Sequence, residues 1–264
     1  MLRPHALPKD ISAGQAITYL QNSNYQMARA DYEKGLLELP DMARHATNTI
    51  RVGRAIENLR KAHVHLSEVQ FQDLLGTRIT PILMQMIEDG MLDLSPYLPK
   101  SAHKNGYAKY LLYSHAHPEH PYCLQLFAFA PKQHVDNMRG QRTKLHNHIA
   151  PCASSVLQGT LEETLYCPVQ GPRKGAPLAR QTSQRLRPTG SVDGFAEDEI
   201  DTVHRLENIG SEKAISVHFY REIDGIRIET PLAAKHRELS NAFSGKANVA
   251  NFYRAVKPGK PADS

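Results

Sequence analysis

The spacing of apolar residues along the chain changes once. In the first hundred residues they recur at helical intervals. Val52, Ala55, Ile56 and Leu59 share one face, and so do Ile79, Ile82, Leu83, Met86 and Ile87. Gly90 follows the second set as a C-terminal stop. Further upstream, Ser12 with Gln15 fits a capping box ahead of Ala16, Ile17 and Leu20. From about Tyr107 the period becomes two. YAKYLLY, YCLQLFAFA, ASSVLQG, LEETLY, TVHRLEN and AISVHFY are short, rich in β-branched and aromatic residues, and separated by turn residues. Such strands in succession, with no helices between them, predict a closed or sandwiched antiparallel sheet.

Residues 168–198 contain glycines, prolines and several basic side chains and read as an excursion from that sheet. A short helix is expected after Pro231, and the closing KPGKPADS reads as disordered. The organisation is then a helical extension over 1–100, a β domain over 101–235 and a partly disordered segment over 236–264. The helical part carries no catalytic constellation and is expected to cover a sheet or to make a homodimer contact.

Composition narrows this picture modestly. Hydrophobic residues make up 41% and charged residues 22%, enough to bury a core. No apolar run approaches the roughly 18 residues that span a bilayer, and MLRPHALPKDISAGQ lacks a secretory apolar stretch. A cytoplasmic protein is expected. The net charge of +5 is spread without a dense Lys/Arg block, which argues against nucleic-acid binding and suits an anionic substrate. The three cysteines, Cys123, Cys152 and Cys167, are odd in number and form no CxxC pair, so no disulfide framework is expected.

The chemistry concentrates in LHNHIAPCASSVLQG. His146 and His148 are two apart, and on a strand both imidazoles face one side and can reach one ion. Cys152 and Gly159 complete the pattern HxH-x3-C-x6-G, which resembles the first cupin motif with Cys where Glu is usual. TVHRLENIG then offers His204 and Asn208 at the H-x3-N spacing of the second motif. Three neutral imidazoles would leave a divalent metal its full charge for anionic substrate atoms. In AISVHFYRE, Ser216, His218 and Tyr220 alternate and share one face. They form no hydrolase triad, since no nucleophile elbow accompanies them. The histidines of SHAHPEHP, His115, His117 and His120, sit between two strands and read as a loop rather than as ligands.

Together HNH, CASSVLQG, HRLEN and SVHFY resemble the cysteine dioxygenase type I and thiol dioxygenase family over about residues 94–230. The resemblance implies a mainly β cupin barrel, a double-stranded β-helix of jelly-roll type, with an N-terminal helical extension. It implies Fe(II) as cofactor, held by His146, His148 and His204. It implies a Ser216–His218–Tyr220 relay and a thioether between Cys152 and Tyr220. The activity implied is oxidation of a small thiol to its sulfinic acid with O2. The family's arginine for the substrate carboxylate falls on Lys109, and Arg142, four residues before His146, is a substitute anchor. The competing readings are a three-histidine cupin with another metal and another reaction, and a cupin that senses a small molecule without catalysis. No nucleic-acid or membrane partner is expected.

Overall fold

The structure is a computed structural model and describes residues 39–99, 107–115, 122–132, 143, 145–148, 152–169, 178–193, 203–221, 249–252 and 254–255. Two helices lead, α1 (Leu39–Ala62) and α2 (Glu68–Glu88). Strands follow as β1 (Ala108–His115), β2 (Tyr122–Phe129), β3 (His146–His148), β4 (Cys152–Gln158), β5 (Thr160–Val169), β6 (Leu178–Pro188), β7 (Val192–Asp193), β8 (Val203–Asn208), β9 (Ala214–Arg221), β10 (Val249–Phe252) and β11 (Arg254–Ala255). The capping box expected at Ser12, the helix after Pro231 and the final KPGKPADS lie outside the described residues.

The strands form two sheets, ordered β1-β2-β9-β4-β7 and β10-β3-β8-β5-β6-β11. Pairing is antiparallel except between β11 and β6. The mainly β fold with two N-terminal helices is the class the sequence predicts. The first sheet is buried on both faces, which explains why every residue of β2 is buried. One face meets the helices. Tyr122, Leu124, Leu126 and Ala128 of β2 and Ile215, Val217 and Phe219 of β9 pack there against Ile56, Phe71, Leu75, Ile79 and Leu83. Each of these large side chains contributes roughly 1.5–3 kcal/mol on burial. The helices therefore cover a sheet, the first of the two roles expected of them.

The helical periodicity is real. α2 starts at a capping box, in which the Gln70 backbone N–H donates to Ser67 Oγ and the Ser67 N–H donates to Gln70 Oε1. It ends before Gly90, whose φ of 65° terminates the turn as its position predicts. A buried hydroxyl pair, Thr80 with Ser155 of β4, ties α2 to the sheet.

The other face of the first sheet turns inward to the second. Leu111, Cys123, Phe127, Phe129, Val156 and Tyr220 meet Leu161 and Leu206 there. Apart from His115, the described candidate side chains face this interior.

The described residues of the 168–198 stretch, 168–169 and 178–193, belong to the sheets and the turn between β6 and β7 rather than to an excursion. Antiparallel pairing of β5 with β6 runs from Thr160↔Pro188 to Val169↔Leu178, and β7 pairs with β4. β6 is hard to read as a strand because LARQTSQRLRP places polar residues on both faces. Backbone pairing to the long β5 strand outweighs that weak pattern. Strands β10 and β11 also carry the second sheet past residue 235, pairing with β3 and β6.

Gly159 joins β4 to β5 with φ of 79°, and a Cβ there would sit 3.0 Å from the Ala214 Cβ. Strain and crowding act together, so Gly159→Ala is expected to cost about 1–3 kcal/mol. Thermal denaturation checks this. An unchanged Tm would mean that the turn tolerates a side chain.

Candidate functional site

Three inward-facing strands of the second sheet carry one half of the site. His146 of β3 pairs directly with His204 of β8, and their ring centroids are 4.8 Å apart at 57°. His146 is buried and His204 half-buried. Both sit on the interior side because β8 alternates, with Leu206 and Asn208 sharing the face of His204. His148 ends the same short strand, and its side chain lies outside the described residues. Among the described residues no group of three His, Cys, Asp or Glu side chains stands close enough to hold a metal.

The imidazole of His204 has a fixed partner. Its Nδ1 is 2.7 Å from Oε1 of Glu163 on neighbouring β5. Burial pushes the Glu163 carboxyl up, but His204, Arg187 and Arg185 together outweigh it and hold the carboxyl well below the usual range. An ionised carboxylate only accepts hydrogen bonds, so His204 must donate from Nδ1. In the neutral ring this leaves the lone pair on Nε2, the tautomer of a metal-ligating histidine backed by a carboxylate. His146 and the carboxylate-backed His204 are donors of the kind a divalent metal takes.

The first sheet supplies the other half. On β9, Ser216, His218 and Tyr220 alternate inward and are all buried. Ser216 Oγ and His218 Nε2 are 2.9 Å apart, and Phe127 stacks on the imidazole at 4.0 Å between centroids. His218 Nδ1 lies 3.6 Å from the Cys152 sulfur. Cys152 is in turn the cross-strand partner of Tyr220 and shares a side-chain hydrogen bond with it. The line of contacts thus runs Ser216, His218, Cys152, Tyr220, with the cysteine placed between histidine and phenol. The His218 and Tyr220 rings lie nearly parallel at 6.0 Å.

Burial sets the protonation states of this half. It lowers His218 well below its ordinary value, helped by the charges of Arg187 and Lys109, so the ring is neutral. It raises Tyr220 well above 10.0 and raises Cys152 likewise, so the phenol and thiol keep their protons.

Lys109 enters from β1, and its Nζ lies 4.4 Å above the Phe127 ring and 5.4 Å from that of Tyr107. No hydrogen-bond or ion-pair partner meets it among the described residues. Burial lowers its pKa to about 8, against the opposing pull of Cys152 and Cys123. Arg142 lies outside the described residues. His115 is at the outer end of β1 beside Tyr122 and 3.9 Å from Glu68 of α2, on the helix side of the sheet. That placement separates it from the interior histidines. His117 and His120 lie outside the described residues.

Asn208, the last residue of the second motif, is a loop anchor. Its amide donates to Ala130 O at 2.9 Å and Glu212 O at 2.7 Å, fixing the β8–β9 turn. Three inward residues carry chemistry that motif reading passes over: Glu163, Arg187 and Cys123. Alternation alone gives a signal for Glu163, because LEETLY puts a carboxylate on the same face as Leu161 and Leu165. Cys123 is the other cross-strand neighbour of Tyr220, opposite Cys152.

Two facing halves, paired histidines and a Ser-His-Tyr strand, invite comparison with known families. Residues 137–223 match the family model of cysteine dioxygenase type I. The match spans about a third of the chain and contains His146, His148, Cys152, His204, Ser216, His218 and Tyr220. No curated protein matches the chain.

Among solved structures, a cupin 2 conserved barrel domain protein from Salinispora arenicola is 15% identical, with TM-score 0.30 over 45% of this chain and 77% of that one. An RmlC-like cupin with a double-stranded β-helix fold from Methanocaldococcus jannaschii is 12% identical, with TM-score 0.27 over 46% of this chain and 83% of that one. A protein from Acidithiobacillus ferrooxidans provisionally described as a sugar phosphate isomerase is 19% identical, with TM-score 0.27 over 39% of this chain, which spans 51% of its length. At these TM-scores the likenesses add nothing to what the strand order gives. No helix among the described residues is long and apolar enough to cross a membrane.

Proposed function

We propose that the chain is a thiol dioxygenase of the cysteine dioxygenase type, which binds one iron(II) through His146, His148 and His204 and converts a small thiol to its sulfinic acid. The observation that carries the reading is the pairing of His146 with the carboxylate-backed His204, in one interior with the Ser216, His218, Cys152 and Tyr220 line. When bound, iron(II) supplies charge that lowers a thiol's pKa and electrons that make ground-state dioxygen reactive. The balance is simple: one thiol and one O2 give one sulfinic acid, with no other reductant.

The chain's own residues then have defined tasks. Tyr220 offers a protonated hydroxyl in the buried interior between the two sheets. His218, held by Ser216 and stacked under Phe127, fixes the wall beside Cys152 and Tyr220. Lys109 presents a cation to an anionic part of the substrate, and Tyr107, Phe127 and Leu111 exclude water. The helices close the outer face of the sheet that carries these groups. Iron-loaded protein incubated with L-cysteine, 3-mercaptopropionate, mercaptosuccinate and cysteamine under 18O2 tests the reading. At least one thiol should gain two labelled oxygens by mass spectrometry. An iron-loaded, folded protein that oxidises none of a broad thiol panel would favour the sensor reading instead.

A second expectation concerns Cys152 and Tyr220. As hydrogen-bonded cross-strand neighbours they are placed to form a thioether during turnover with O2, losing two hydrogens. Peptide mass spectrometry after prolonged turnover should find a joined Cys152–Tyr220 peptide, and Cys123→Ser should leave it in place. Only separate peptides in wild type would overturn the expectation.

A further inference from the structure

Glu163 is 4% exposed and bonded on both oxygens, an arrangement costly to build unless it serves something. Oε1 receives His204. Oε2 receives Arg185 Nε at 3.0 Å and Nη2 at 2.7 Å, and Arg187 Nη1 at 3.5 Å. Arg187 is equally buried and reaches across the barrel, where it donates to Ser154 Oγ at 2.9 Å and to Ser154 O at 2.8 Å. Ser154 lies on β4, two residues beyond Cys152, and is the cross-strand partner of His218. A single hydrogen-bonded chain thus joins His204 on one sheet to the Cys152 and His218 strands on the other.

We infer that Glu163, clamped by Arg185 and Arg187, is a positioning residue that fixes the tautomer and ring orientation of His204 for metal binding. The inference rests on His204 being a ligand. A salt bridge serving stability alone needs no histidine. Here Oε1 faces the imidazole, while the two arginines, which also pair with Asp193, share Oε2. The clamp also accounts for the buried Arg187, whose guanidinium holds Glu163 from behind and sets the distance between the two sheets at the level of the site. Removing the carboxylate charge should weaken iron binding about 10–100-fold, the usual effect of losing such a partner to a ligating histidine.

The experiment measures iron(II) affinity by chelator competition for wild type, Glu163→Gln and Glu163→Ala, with Tm of the metal-free proteins recorded alongside. Cobalt(II) serves as a spectroscopic probe, because its ligand-field bands respond to how a histidine is held. The expected result is a graded loss, Gln intermediate and Ala weakest, with shifted cobalt bands. Since Glu163→Gln leaves Arg187 only Asp193 as an anionic partner, at 3.4 Å, Glu163→Gln with Arg187→Gln, which removes both charges of the clamp, is the control for folding. If that folded pair still binds iron weakly, the positioning role stands. Wild-type affinity and unshifted cobalt bands in folded Glu163→Gln, or in the pair, overturn the inference alone. Folded wild type that binds neither iron nor cobalt overturns the metal reading itself.

Discussion

Replacing His204 with alanine is expected to empty the protein of iron and to abolish thiol oxidation. Three imidazoles form the whole proposed set of protein ligands, so each would supply a third of that set and none is redundant. Loss of a hydrogen-bonded partner behind such a ligand typically costs about 10–100-fold in affinity, and loss of the ligand itself should exceed that range. Equal outcomes are expected for His146→Ala and His148→Ala. Folding should survive. His204 is only half-buried, and Glu163 keeps two arginines after the imidazole is gone, so the loss of one charge-assisted bond costs roughly 1–3 kcal/mol. His115→Ala is the matched control, because His115 lies on the helix side of the sheet. Iron is counted by metal analysis and activity by oxygen uptake. Full iron and full activity in His204→Ala would sink the ligand assignment.

The sequence made the strands that carry chemistry legible because they alternate strictly. AISVHFY places Ile215, Val217 and Phe219 against the helices and Ser216, His218 and Tyr220 inward, and the structure keeps that division. The helical layer was legible for the same reason, since Ile79, Leu83 and Met86 share a buried face. β6 was not, because its solvent side and much of its inner side are polar, and its place depends on pairing with β5. Arg187 looks like an ordinary surface charge in one dimension, and alternation puts Glu163 on the inner face without naming its partner. Only the third dimension shows that they meet behind His204. The order of contacts around His218 was equally hidden. Spacing puts Ser216, His218 and Tyr220 on one face, but the neighbouring strand inserts Cys152 between the last two.

On the proposed function, Lys109 should make this chain a poor L-cysteine dioxygenase. The sequence resemblance puts the family's carboxylate-binding arginine at this position, which lies outside the stretch 137–223 matched by the family model. A guanidinium gives two parallel bonds in a rigid fork, whereas an ammonium is a point charge on a flexible stem. The exchange is worth about 1–3 kcal/mol, or one to two decades in kcat/KM, for a substrate shaped around the fork. Here the ammonium rests over Phe127 and beside Tyr107, a setting that holds a cation without fixing its direction. A thiol whose acid lies elsewhere, or a thiol without one, is therefore expected to rank above L-cysteine, and Lys109→Arg should raise the efficiency with L-cysteine about tenfold or more. The same side chain gives a pH signature. Its pKa is lowered to about 8 by burial, so the cation is present below that pH and is lost as pH rises through it. For any anionic thiol, kcat/KM should fall above about pH 8 in wild type, while Lys109→Arg, charged throughout, should hold level over that interval. Rate profiles of the two proteins over the thiol panel decide it. A wide wild-type preference for L-cysteine, with no gain and no change of profile in Lys109→Arg, would mean that the substrate's acid is bound by another residue.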